Sequence, residues 1–488
     1  MQRITPFSTL DLFDVSATRR IEQALSGTLP PHTLMRRAGL AVARLAMAIA
    51  PNARTVWIAC GPGNNGGDGF EAAAQLQQRG WAPTVTFCGD EARLPPDARA
   101  SLQRARDAGV ALAAQAPAAF DLAIDALLGI GATRAPEGEM ADWLQRMHDS
   151  PAIVLSVDVP SGLDADTGAL AMNSMPSPAN GTGATTRFCL SLLTVKPGLF
   201  TAEGRDAAGQ VWFDDLGAGV LTAAPAARLA GPAPSKPRAH ASHKGSYGDV
   251  MVIGGAHGMA GAALLAGSAA LHAGAGRVLV GLLDASAAPV DASQPELMLR
   301  DAASLDFAKA TVVCGCGGGD AVRALLPRAI ATAAALVLDA DALNAIATDA
   351  GLQQQVEARV RRGRPTVLTP HPLEAARLLG TSAAEVQADR LAAARTLAAR
   401  FGVVVLKGSG TVIAEREGMP AINLTGNGRL ATAGTGDVLA GMVGAALASG
   451  RPAFDAAREA VWRHGDLADR WPNHLPLTAG GLARGQNL

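Results

Sequence analysis

VWIAC-GPGNNGGDGF-EAAAQLQQRG, residues 56–80, sets five apolar residues before a glycine-crowded turn and an alanine-rich run of helical period. The order is strand, loop, helix, with expected bounds of 56–59 for the strand and 69–79 for the helix. Five glycines, two asparagines and an aspartate share the turn. Backbone N–H groups and a helix N-terminus there can receive an anion; a tight turn without a ligand is the plainer alternative. The spacing is not that of a GxGxxG dinucleotide loop, because Asn64, Asn65 and Asp68 add side-chain oxygens.

Outward from this stretch the alternation recurs. Strands are expected at 84–87, 122–127, 153–157 and 188–193, with helical segments between them. That order implies a parallel sheet covered by helices on both faces. Two of the strands end in aspartate: Asp125 opens DALLGIG and Asp158 opens DVPSG. Ligands of such sheets bind at the carboxyl ends of strands. Asn65, Asp68, Asp125, Asp158 and Ser161 can therefore face one crevice, and grouped hard oxygens can hold a hard cation. For Asp158 alone, capping of the turn at Pro160-Ser161-Gly162 is the alternative.

Residues 221–240, LTAAPAARLAGPAPSKPRAH, are rich in Pro and Ala and lack periodicity. They read as a linker between one domain over 1–225 and another over 236–488. The second domain repeats the alternation, with strands expected at 250–253, 278–282, 311–313, 336–338, 366–368 and 403–406 and a helix pair at 437–448 and 453–469. Its sharpest segment is GNGRLATAGTGDVLAG, 426–441. Gly434-Thr435-Gly436 opens an apolar helix whose free N–H groups suit a phosphoryl group in transfer. Asp437, in its first turn, would face the reacting hydroxyl; an ordinary acidic helix start is the alternative. HKGSYGD (243–249), DADALN (339–344), TPHPLE (369–374) and LKGSGT (406–411) stand at or beside strand ends, so they can converge on it.

The 488 residues predict two to four domains, and 55 glycines predict many tight turns. Net charge is −1 with no basic or acidic run, which speaks against nucleic acid as a partner. The first twelve residues lack a basic start and an apolar run, so no signal peptide is expected. No stretch reaches the roughly 18 apolar residues of a membrane helix. Five cysteines without a CxxC pair suggest buried thiols in a reducing cytoplasm; a metal held by Cys314 and Cys316, at the end of an apolar strand, is the alternative. Only five of the 42 basic residues are lysine: Lys196, Lys236, Lys244, Lys309 and Lys407. In an arginine-using chain a lysine can mark a place that arginine cannot fill.

GNNGGDG, DALLGIG, DVPSGLD and KPGL together resemble the NAD(P)H-hydrate epimerase domain, over roughly residues 10–220. The resemblance implies a potassium ion held by Asn65, Asp125 and Ser161. It implies substrate contacts from Asn64, Asn65, Gly66, Gly67 and Asp68, from Gly129, Ile130, Gly131, Ala132, Thr133, Arg134 and Ala135, and from Asp158. Ile130 stands where that family usually has threonine, and LMRRAG (34–39) lacks the usual acidic residue after LM.

HKGxxG, Gly254-Gly255 with Gly261-Ala262, DADAL, TPHP, KG and GTGD, in that order, resemble the ribokinase-like superfamily. The closer resemblance is to the ADP-dependent NAD(P)H-hydrate dehydratase, over roughly residues 236–475. It implies that Lys407, Gly408, Ser409, Gly410, Thr411 and Gly436 contact ADP, with Mg²⁺ expected beside the nucleotide. Ala262, Gly317, His371 and Asp437 are implied to contact the hydrated cofactor. Cys316 and Gly318 depart from the GPGLG often found there, and Arg429 replaces a shorter side chain.

The expected fold class is therefore α/β: two three-layer α/β/α domains, the first Rossmann-like and the second ribokinase-like. The expected activity is repair of hydrated NADH and NADPH, by epimerisation of the R and S forms and ADP-dependent dehydration of the S form. Asp158 is the candidate acid/base of epimerisation, Asp68 the second choice, and Asp437 the base of dehydration. A homo-oligomer is expected. One alternative makes the second half a vitamin or sugar kinase; another makes the first half a regulatory binding module.

Overall fold

The computed structural model describes residues 1–132, 135–171, 187–219, 223–233 and 238–485. The chain divides into two compact units, Met1–Thr5 with Leu10–Ala227, and Pro6–Thr9 with Arg228–Leu488.

In the first unit seven strands form the parallel part of the sheet: β1 Val56–Cys60, β2 Pro83–Phe87, β3 Ala111–Ala113, β4 Leu122–Ala126, β5 Ile153–Val157, β6 Arg187–Leu192 and β7 Gln210–Asp214. Their spatial order is β7-β6-β5-β4-β1-β2-β3, and Gln2–Arg3 adds an antiparallel edge to β7. The pleat sorts β1 between two cores. Val56, Ile58 and Cys60 face helices α1 Val15–Ser26, α2 Thr33–Ile49, α3 Asn64–Gln77 and α4 Pro96–Asp107. Trp57 and Ala59 face the other side, with Trp143, Leu144 and Met147 of α5 Glu139–Asp149. This is the expected three-layer arrangement. The chain leaves β1 toward β2 and later returns to β4 on the other flank, so a topological switch point lies between β1 and β4.

The second unit holds β8 Asp249–Gly254, β9 Arg277–Leu282, β10 Met298–Asp301, β11 Thr311–Cys314, β12 Ala335–Leu338, β13 Thr366–Leu368, β14 Val403–Leu406, β15 Val412–Ala414 and β16 Ala421–Ile422. The order is β10-β9-β8-β11-β12-β13-β14-β15-β16, parallel as far as β14 and antiparallel beyond. Its switch point lies between β8 and β11. Val250, Val252, Val313 and Val337 pack against α6 Ala260–His272, α7 Thr435–Ala448 and α8 Ala453–Arg470. Small residues let α6 and α7 nearly touch: a Cβ on Gly441 would lie 2.0 Å from the Ala266 carbonyl. Pro6–Thr9 packs within this unit, where Trp462 Nε1 donates to the Pro6 carbonyl at 3.0 Å and Phe7 lies edge-on to Trp462 at 5.6 Å.

Three expectations need correction. Helix α3 begins at Asn64 rather than 69, so most of the glycine stretch is its first turns. Gly66 must be glycine there, since a Cβ would sit 2.0 Å from the Gly61 carbonyl. The supposed linker contains a strand, Ala227–Leu229, with Ala227 and Leu229 fully buried and Arg228 paired in register with Ala421. Residues 221, 222 and 234–237 of that segment lie outside the described residues. Finally, HKGSYGD does not converge on the GTGD turn. It precedes β8, and Gly248 packs on the Ala448 carbonyl at the far end of α7, a helix about 20 Å long.

Candidate functional site

The first unit carries a cavity of about 540 Å³. Its walls come from α1 and the start of α2, from Pro62–Asn65 after β1, and from Leu127–Ala132 after β4, which is the switch point. Asn64, Asn65, Asp68, Gly129, Ile130, Gly131, Ala132 and Asp158 all line it. Gly66 and Gly67 do not; they lie beneath, against Gly61 and Ala98. Ala135 is not part of the wall, and Thr133 and Arg134 lie outside the described residues.

Asp158 is held in a left-handed conformation, φ +67°, which for a non-glycine residue is strained. Its Oδ1 accepts from the Leu192 N–H at 3.0 Å and from Lys196 Nζ. Lys196 is fully buried and also donates to the Leu192 carbonyl at 2.7 Å. Burial, then the neighbouring Asp158 and Glu22 carboxylates, push Asp68 well above the ordinary carboxylate range. Burial and Asp158 likewise raise Glu22, on α1, against the pull of Lys196 and Arg19. Two carboxyl groups in different surroundings thus share the cavity: Asp158, paired to a buried lysine, and Asp68, which burial and its carboxylate neighbours raise. Lys196 and Glu22 were not among the expected site residues. The scarcity of lysine and the KPGL motif were the signals for Lys196; no local signal marked Glu22.

Asp125 and Ser161 come together, but behind this cavity. Ser161 Oγ donates to Asp125 Oδ1 at 2.6 Å, and the Ser161 N–H donates to Oδ2 at 2.9 Å. Ser161 Oγ in turn accepts from the Leu128 N–H at 2.9 Å, at the root of the 129–132 turn. Asn65 lies against Gly129, and its Nδ2 is buried without a protein partner. Burial raises the Asp125 carboxyl, offset by the Ser161 hydrogen bonds.

In the second unit the turns after β11, β12, β13 and β14 meet the N-terminus of α7. Gly434 takes φ +89° to cap that helix, and His464 Nε2 lies 2.9 Å from the Thr435 carbonyl. Lys407 Nζ donates to Asp339 Oδ1 at 2.9 Å and lies beside Gly436, whose added Cβ would meet it at 3.3 Å. Asp339 is buried and also accepts from Thr369 Oγ1 at 2.7 Å. Burial, then Asp339, raise Asp437 to about 6. Burial works to lower Lys407, but Asp339 and Glu374 outweigh it and hold the ammonium above its usual value.

The expected nucleotide turn, Lys407 to Thr411, is shaped by Gly408 at φ +137° over the Arg390 guanidinium, with Thr411 Oγ1 donating to the Gly408 carbonyl at 3.1 Å. Ser409 is exposed at its tip and Gly410 is buried behind it. Ala262 and Gly317 are neighbours across the switch point, since a Cβ on Gly317 would meet the Ala262 methyl at 2.9 Å. His371 has a structural task as well: its Nδ1 accepts from the Leu373 and Glu374 N–H groups, capping Pro372–Leu379. Burial and then Lys407 lower its pKa.

Fold and sites define a two-part α/β enzyme, each part gathering acidic side chains at strand carboxyl ends. The family model described as NAD(P)H-hydrate dehydratase matches residues 250–480, and that of the YjeF-related protein N-terminus matches residues 31–198. A bifunctional NAD(P)H-hydrate repair enzyme Nnr from Escherichia coli (strain K12) is 36% identical over 90% of this chain and 85% of its own. An ADP-dependent (S)-NAD(P)H-hydrate dehydratase from Neisseria meningitidis serogroup B is 46% identical over 51% of this chain and 85% of its own. Among solved structures, an ADP/ATP-dependent NAD(P)H-hydrate dehydratase from Bacillus subtilis, co-crystallised with ATP/Mg²⁺, is 32% identical. That likeness covers 51% of this chain and 91% of the other, with a TM-score of 0.43. The chain belongs to the family of bifunctional NAD(P)H-hydrate repair enzymes.

Proposed function

We propose that this chain restores hydrated NADH and NADPH to the reduced cofactors, with epimerisation in the first unit and ADP-dependent dehydration in the second. The observation that carries the reading is the pair of separate acidic sites at strand carboxyl ends, one in each unit, each with a lysine fixing one carboxylate.

Epimerisation inverts a carbon that bears a hydroxyl beside a ring nitrogen. The nitrogen lone pair expels the hydroxyl once an acid protonates it, and water then adds to the opposite face. Asp68, whose carboxyl burial raises, supplies the proton; Asp158, paired with Lys196, takes one from the entering water. Asn64, the 129–135 loop and Asp158 hold the substrate. Asn65, Asp125 and Ser161 would hold potassium through the Asn65 amide oxygen, the Asp125 carboxylate and the Ser161 hydroxyl, the last two of which already lie together. Their donors are oxygens, which suit a hard cation and not zinc. When bound, the ion supplies fixed positive charge beside the substrate.

Dehydration needs a better leaving group than hydroxide. Asp437 takes the proton of the substrate hydroxyl as its oxygen bonds to the terminal phosphorus of ADP, releasing AMP. The N–H groups of the 434–436 turn steady the phosphoryl oxygens, and Lys407 to Thr411 hold the nucleotide. Phosphate then leaves with its C–O bond, the ring nitrogen lone pair replaces it, and a proton is lost from the adjacent carbon. Mg²⁺ accompanies the nucleotide. Ala262, Gly317 and His371 position the hydrated ring. Five unpaired cysteines suit a cytoplasmic setting, and no described helix is long and apolar enough to cross a membrane. Self-association as a homo-oligomer is part of the proposal.

The test is incubation of the chain with mixed epimers of hydrated NADH, with and without ADP. Complete return of dihydronicotinamide absorbance with ADP is expected. Return of only the S fraction would remove epimerisation, and no return would remove the dehydratase.

A further inference from the structure

Cys316 lies in the turn after β11 and is fully buried. Its Sγ and one carboxylate oxygen each from Asp339 and Asp437 all lie within 4.8 Å of one another. Asp339 Oδ1 is committed to Lys407 Nζ and Thr369 Oγ1. The other oxygen, Oδ2, faces the thiol at 3.9 Å. Asp437 thus meets a second carboxyl group, itself paired with Lys407, across a desolvated gap. Like charges so placed repel, and the thiol is the proton donor between them. Sulfur is a weak donor, but Cys316 is fully buried beside both carboxyl groups.

We propose that Cys316 is a positioning residue for dehydration, its S–H bridging Asp339 and Asp437 and keeping the Asp437 carboxylate ionised and aimed at the substrate hydroxyl. This rests on Asp437 being the base, as proposed above.

The charged groups facing Asp437 are Asp339 from the turn after β12, Lys407 from the turn after β14, and Cys316 itself. Behind Lys407 stand Glu374 and His371 from the turn after β13. His464 of α8 reaches the Thr435 carbonyl. Burial and Asp339 raise Asp437, whereas the thiol hydrogen bond and Lys407 lower it. Loss of the thiol therefore raises it further. A base works only when ionised, so the acidic limb of the pH–rate profile moves to higher pH.

The experiment measures kcat and KM for dehydration against pH on the full chain, for wild type, Cys316→Ala and Cys316→Ser, with epimerisation as the internal control. Cys316→Ala should lose about three- to tenfold in kcat at pH 6, with less change at pH 8 and an unaltered KM for ADP. Cys316→Ser keeps a donor, and its limb should stay near that of wild type. If the alanine variant does not fold, Cys316→Pro replaces it. Superimposed limbs for wild type and the donor-free variant, or equal shifts for serine and alanine, would overturn the proposal. A wild-type chain without dehydratase activity would overturn the functional reading first, and the proposal with it.

Discussion

Asp437→Asn separates what the base does for chemistry from what it costs the fold. Asn keeps the size of the side chain but removes the proton acceptor. General-base loss is typically about 10²–10⁴-fold, so dehydration should fall by about that factor while ADP binding changes little. The stability effect runs the other way. Raising a carboxyl from 3.8 to about 6 corresponds to about 3 kcal/mol of preference for the neutral form. Asp437 is partly accessible, so this is an upper bound. The folded-state pKa lies above the unfolded one, so the ionised side chain destabilises the fold at pH 7.5. That penalty disappears as pH falls from about 6 toward 4. Asn should therefore melt higher than wild type at pH 7.5, with the difference shrinking at pH 5. Differential scanning calorimetry at both pH values, beside the dehydration assay, reads both effects. Epimerisation should be unaffected, so R epimer alone should convert to the equilibrium mixture and stop. A variant that keeps most of its dehydratase activity, or that melts lower at pH 7.5 than at pH 5 relative to wild type, would refute the reasoning.

Asp125→Ala should slow epimerisation and abolish its dependence on potassium; equal wild-type rates in potassium-containing and potassium-free buffer would count against the cation site. Cutting the chain within 221–226, ahead of the buried strand Ala227–Leu229, should leave two soluble pieces, the second melting a few degrees lower than in the intact chain because it loses Pro6–Thr9 from Trp462; failure of either piece to fold would show that the cores are not independent. Gly441→Ala forces a methyl to 2.0 Å from the Ala266 carbonyl, and overpacking of this kind costs about 1–3 kcal/mol; a dehydratase unit as stable as wild type by thermal melt would show that α6 and α7 can part freely.

What was legible in the sequence was local. GTGD and GNNGGDG announce themselves because a helix start and a tight turn are built from adjacent residues, and β1, β12 and β14 are unbroken apolar runs. Ala227–Leu229 hides among prolines, since three residues carry little periodicity and their partner is at 421–422. β15, with three residues, and β16, with two, are hidden for the same reason. The role of Lys196 depends on Asp158, 38 residues away, and that of Glu22 on a helix folding over strand ends it never adjoins in sequence. HKGSYGD misled because a strand end has two senses: it sits where β8 begins, and the other segments sit where strands finish.

The packing of Pro6 and Phe7 on Trp462 also bears on how the chain is made. These partners are 456 residues apart. Synthesis at about 5–20 residues per second separates their emergence by about 20–90 s. Through that interval Phe7, still 65% exposed in the finished structure, has no Trp462 to lie against, although most of the first unit's own strands are already available to pair. Pro6 and Phe7 therefore find their place only after a residue made 456 positions later, long after their neighbours Gln2 and Arg3 can pair with β7.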